Sequence, residues 1–156
     1  MSRRKFSPRY SPVELLMAST TKPMPAHWRE AQVAQMRLGL ENLRSRPDTG
    51  PGDWVVLSDC VNLLETMIAN GWVEDEGGFH EAASAALSAA GQRHMEGKAL
   101  RMSGPELEAV EAALLAYEAV IGEISQRNLM TAMVQTERRI WQMLEGITMP
   151  HGKLLA

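Results

Sequence analysis

Ser103-Gly104-Pro105-Glu106-Leu107, continued by Val110, Leu114, Tyr117, Ile121 and Ile124, decides the fold. Ser103 with Glu106 three residues later is a capping box, and Pro105 stands in the first turn, where its missing N–H is no loss. The apolar residues behind it recur at alternating spacings of three and four, which places them on one face of a helix. The register breaks over Ser125-Gln126-Arg127-Asn128 and resumes, shifted, at Met130, Met133, Ile140, Trp141 and Leu144. Two arrangements accommodate that break. One is a single helix of about 40 residues, about 60 Å long. The other is two helices with a turn between Gly122 and Asn128. A lone glycine costs a helix only about 1 kcal/mol, so the expectation is one long, bent helix over 103–145. Residues 146–156, with Pro150 and Gly152, are expected to form a tail.

Upstream of this stretch the same periodicity holds. Residues 79–95 are alanine-rich and favour helix, with Ala82, Ala86 and Ala89 as a small face for close helix approach. Trp54, Leu57, Val61, Leu64 and Ile68 form a core-facing stripe in a helix expected from an Asp53 cap to Asn70, stopped by Gly71. Trp28, Val33, Met36, Leu40 and Leu43 mark another over 25–45, and Asp48 to Gly52 reads as the loop between the two. Ser11-Pro12-Val13-Glu14 opens a short helix with Leu15 and Leu16 on its apolar side, ending before Lys22-Pro23-Met24-Pro25. No strand pattern survives. The expected fold is all-α, a small helical bundle with one long C-terminal amphipathic helix. Its expected organisation is a basic arm at 1–10, a single helical domain at 11–145 and the tail.

The chain has 156 residues, 45% hydrophobic and 22% charged, ordinary composition for one globular domain. Its single cysteine, Cys60, permits no internal disulfide. The N-terminal residues have no apolar run behind their positive charges, and no stretch approaches the ~20 apolar residues of a membrane span, so the expected location is the cytoplasm. The net charge of −3 hides an asymmetry: residues 1–52 hold nine Arg and Lys against four Asp and Glu, a net +5, and residues 53–156 hold seven against fifteen, a net −8. The two parts either neutralise each other within the fold or an oligomer, or the basic part meets an acidic partner such as nucleic acid.

Catalytic patterns do not assemble. His27, His80, His94 and His151 stand far apart, without the spacing that zinc or di-iron sites require. Cys60 sits beside an apolar stripe and reads as a small buried hydrophobe. There is no nucleophile elbow and no phosphate-binding loop. Glu106, Glu108 and Glu111 fall in the first turns of a helix, where its dipole favours negative charge. No catalytic residue, metal or cofactor is expected.

Binding candidates are more concrete. Arg3, Arg4, Lys5 and Arg9 suit phosphates, and Tyr10 or Phe6 suits stacking on bases. Ser125-Gln126-Arg127-Asn128 would open the recognition helix of a helix-turn-helix, although the glutamates around it repel phosphate. Tyr117, Ile121, Ile124, Met130, Met133 and Trp141 are the candidate helix interface, toward a partner or a second copy of the chain. Met130, Met133 and Met143 near Trp141 suit an adaptable binding surface, although methionines at helical spacing more often fill a core.

Arg4-Lys5-Phe6-Ser7-Pro8-Arg9, Gly52-Asp53-Trp54 ahead of an apolar helix, and Glu106-Leu107 at the head of the long one together resemble small helical accessory proteins of phages and plasmids of Gram-negative bacteria. The resemblance implies a protein that binds a host protein and blocks or redirects it, and it carries over no catalytic residues. The expected function is therefore a non-catalytic protein-binding module, an inhibitor in the setting of a mobile element. The alternative is a nucleic-acid-binding regulator acting through the basic arm.

Overall fold

Residues 21–46 and 50–148 are described in the computed structural model, the last three by their backbone only, and every regular element among them is helical. Five helices follow in order: α1 (Ala26–Ser45), α2 (Pro51–Ala69), α3 (Phe79–Met95), α4 (Gly104–Glu123) and α5 (Gln126–Thr148), with a single 3-10 turn at Glu76–Gly78 before α3. The expected all-α bundle with an amphipathic C-terminal helix is what the chain forms. The expected helix at Ser11, the basic arm and most of the tail lie outside the described residues. No described helix is long and apolar enough to cross a membrane.

Local chemistry sets the helix ends. α2 starts three residues earlier than its Asp53 cap would place it, because Pro51 supplies a preset φ at the first position. Asp53 instead lies in the first turn and accepts hydrogen bonds from Asn42 Nδ2 at 3.2 Å, tying α1 to α2. At the other end Gly71, at φ 75°, takes the left-handed position that glycine favours. Trp72 N–H then bonds Met67 O at 3.0 Å and Gly71 N–H bonds Ile68 O at 2.9 Å, satisfying carbonyls the helix leaves open. The capping box at Ser103 and Glu106 forms as its spacing predicts.

α2 packs against each of the other four helices. Leu57, Val61, Leu64 and Met67 are buried there together with Met36 and Leu43 of α1, Val110 and Ile121 of α4 and Leu129 of α5. The buried face of α3 is Ala83, Ala86, Leu87 and Ala90. That corrects the expected face by one residue, since Ala82 and Ala89 are exposed. Gly91 explains the offset. The Trp54 ring lies where a Gly91 side chain would stand, 3.0 Å from an ideal Cβ, and its Nε1–H donates to Leu87 O at 2.8 Å. The indole sets the rotation of α3.

The helix expected over 103–145 is two helices. Ile124 takes extended geometry at φ −64°, ψ 137° while its side chain remains buried. Ser125 caps α5, its Oγ accepting from Asn128 N–H at 3.1 Å and its carbonyl from Leu129 N–H at 2.9 Å. Gln126 N–H donates to Lys22 O at 2.8 Å, and its Nε2 to Pro23 O at 3.2 Å. A serine cap with a second set of backbone acceptors ends one helix and starts another. Gly122, the expected weak point, stays helical. α5 then runs through Gly146 to Thr148, three residues into the segment expected as tail.

The charge asymmetry is partly resolved inside the fold. Arg37 and Arg44 of α1 meet Glu118 and Glu111 of α4, at 2.8 and 3.9 Å. A less exposed pair, Arg93 and Glu106, lies 2.8 Å apart between α3 and the cap of α4. Burial pushes the Glu106 carboxyl up, but hydrogen bonds from Arg93 and Ser103 and the charge of Arg93 outweigh it, and its pKa lies below the usual value. A lowered carboxylate pKa adds stability above its unfolded-state value, and that stability is lost as pH falls through the folded-state value. Glu106→Gln keeps a capping-competent side chain and removes the charge. It is expected to lower stability by about 1 kcal/mol at pH 7, with the gap from wild type closing below the usual carboxylate range. Urea unfolding at several pH values measures both.

Candidate functional site

α5 carries a broad apolar stripe and has one substantial helix neighbour, α2. Leu129 and Ala132 are buried against the bundle and Thr136 continues that line. Along the same line the seam turns polar. Thr66 Oγ1 and Thr136 Oγ1 share a hydrogen bond at 2.6 Å, and each hydroxyl also reaches the carbonyl one turn back on its own helix, Asn62 O at 3.3 Å and Ala132 O at 2.7 Å. Asn70 Nδ2 donates to Gln135 Oε1 at 2.7 Å. Arg139 donates to Asn62 O at 2.9 Å and pairs with Glu65 at 2.8 Å. Residues rising along α5 meet residues falling along α2, so the two helices are antiparallel.

The other side of the stripe is left open. Met133, Val134, Trp141, Met143 and Leu144 are exposed, Trp141 by 60%. Between this edge and α2 lies a groove of about 330 Å³, lined by Leu63, Met133, Thr136, Ile140 and Trp141 and flanked by Asp59 and Glu137. Desolvation raises the pKa of Asp59, so its carboxylate gains from any cation brought to the groove. A larger cleft of about 460 Å³ lies between α1 and α4, where Arg37 is paired with Glu118 and Arg29 Nε donates to Met24 O at 3.1 Å. The apolar groove is the stronger site because Met133 and Trp141 on its α5 side stay exposed.

The six residues expected as a helix interface separate into two groups. Met133 and Trp141 line the groove, with Met130 half-buried one turn away. Tyr117, Ile121 and Ile124 are buried in the bundle. Because α1, α2 and α3 all pack on α4, that part of the stripe has no surface to offer a partner. The expectation that the methionines fill the core is likewise corrected for Met133 and Met143, both exposed. Leu63 and Asp59 were absent from the expected set, since only the pairing of α2 with α5 brings them there. Arg3, Arg4, Lys5, Arg9 and Tyr10 lie outside the described residues. The base-reading role considered for Gln126 meets an obstacle, since its side-chain amide is bound to Pro23 O.

Cys60 is buried as expected. Desolvation and, after it, the charge of Asp59 push its thiol up to about 12, so it stays protonated and weakly nucleophilic at neutral pH. Burial also raises Tyr117, with Cys60 adding to it. Among the described residues no group of three His, Cys, Asp or Glu side chains converges on one point. No protein-family model, curated protein or solved structure matches the chain.

The buried hydroxyl pair makes the attachment of α5 testable. Thr66→Val and Thr136→Val are each expected to cost about 1 kcal/mol, and the double variant less than their sum, because replacing both partners by apolar groups of the same shape leaves neither unsatisfied. Urea unfolding of the four chains measures the coupling, and strict additivity would contradict the seam.

Proposed function

We propose that the chain is a non-catalytic protein-binding module that works by occupying a surface of another protein through the α2–α5 groove. The observation that carries this reading is the open edge of α5, where Met133, Ile140 and Trp141 line a groove that Leu63 of α2 closes on the other side. A contiguous apolar surface with a polar rim suits a protein partner. Trp141 is the residue type most often dominant in binding energy, and methionines adapt to the shape presented to them.

The partner's chemistry follows from the groove. A site between two antiparallel helices takes a third helix, apolar on one side. Asp59 and Glu137 on the flanks favour basic residues beside that apolar stripe. The resemblance to phage and plasmid accessory proteins supplies a setting in which such binding blocks or redirects a host protein.

Photo-crosslinking in the producing cell tests this reading. With benzoylphenylalanine replacing Trp141, we expect a discrete crosslinked protein species that Met133→Glu removes. The same label replacing Leu115, equally exposed on α4, is expected to give none. Equal crosslinking at both positions, or at neither, would contradict the proposal.

A further inference from the structure

We infer that two copies of this chain pair through the α2–α5 groove, α5 of each copy lying antiparallel in the groove of the other; this inference rests on reading that groove as a protein-docking surface and names its occupant. The groove suits a third helix that is apolar on one side and basic beside it, and α5 is itself such a helix. Met133, Val134, Trp141 and Leu144 recur along it at helical spacing and are all exposed. Glu137 and Arg138 stand exposed at the middle of that face. Glu137 follows Met133 by four residues, and Arg138 precedes Trp141 by three, so each lies in line with an apolar neighbour. Adjacent residues of a helix do not face each other, so these two charges do not pair within one copy. Among the described residues neither has a hydrogen bond or an ion pair.

Charge decides the direction of the pair. Two parallel copies of α5 about a two-fold axis would set Glu137 against Glu137 and Arg138 against Arg138, like against like. Two antiparallel copies bring Glu137 of each level with Arg138 of the other, so one favourable contact is made twice. The same register brings Val134 of each copy level with Trp141 of the other, which puts the aromatic ring against an apolar side chain on both sides of the axis. Arg138 is thereby delivered to Glu137 on the acidic rim of the groove, the position where a basic residue is favoured. The apolar surface that α2 leaves uncovered on each copy is covered by the other. A foreign partner then has to displace the second copy, so partner binding and dimerisation exclude each other by mass action.

Sedimentation velocity of the full-length chain over a range of concentrations tests this inference. The wild-type chain is expected to sediment as a dimer that dissociates on dilution. Trp141→Ala is expected to weaken association about thirtyfold, as loss of an aromatic anchor does. Glu137→Arg and Arg138→Glu each set like charges against each other at two places, and each is expected to weaken association about tenfold. The chain carrying both reversals restores opposite charges at both places and is expected to return to within about threefold of wild type. Circular dichroism checks that every variant keeps its helices. A chain that is monomeric at every concentration overturns the inference. So does a dimer that Trp141→Ala leaves intact, or a double reversal that associates no better than the single ones. Crosslinking at position 141 separates this inference from the reading beneath it. A foreign protein captured there by a chain that is monomeric in solution overturns the inference and leaves the docking reading standing. A charge-reversible dimer whose position 141 captures only a second copy supports the inference and overturns the docking of another protein.

Discussion

One helix has to serve four neighbours, and the rest of the molecule follows from that constraint. α2 packs against α1, α3, α4 and α5, which requires apolar or small side chains around most of its circumference. Its sequence meets the requirement with Leu57, Cys60, Val61, Leu64 and Met67 buried and Trp54, Val56, Leu63 and Ile68 partly so. Several of its polar residues tie it to its neighbours. Asp53 holds α1 through Asn42, Thr66 holds α5 through Thr136, and Asn70 closes the helix and reaches Gln135. Trp54 bonds a carbonyl of α3 and sets where that helix lies.

The outermost helix receives the least cover from this arrangement. α5 contacts the bundle mainly through α2, and one neighbouring helix covers only part of a stripe that also includes Met133, Ile140, Trp141 and Leu144. The polar seam of Thr136, Gln135 and Arg139 holds α5 in a fixed rotation, so the uncovered part always faces the same way. A fixed, apolar, acid-rimmed groove is what the proposed docking role requires.

Much of the helical architecture was legible because apolar spacing reports which residues share a face. The bounds of α3 and the stop at Gly71 follow directly from residue type, and the start of α1 lies within one residue of expectation. The break at Ile124 was written in the sequence as a register shift and a serine with cap potential. Helix propensity outweighed it in the reading because the carbonyls of Lys22 and Pro23 that complete the cap come from about a hundred residues away. Spacing also cannot say which neighbour covers a stripe. Tyr117, Ile121 and Ile124 share a pattern with Met133 and Trp141, yet three helices bury the first set and one helix leaves the second open. The groove's far wall, Leu63 and Asp59, became visible only once α2 and α5 were paired.

The most direct test of the account compares two apolar residues of the same helix by equilibrium urea unfolding. Leu129, buried against the bundle, is expected to lose about 2–5 kcal/mol on substitution by alanine. Trp141, the larger residue, is expected to lose no more than about 1 kcal/mol, because it faces the groove and is not part of the packed interior. Equal, large losses at both positions would show that the outer face of α5 is core, and would contradict a docking surface there.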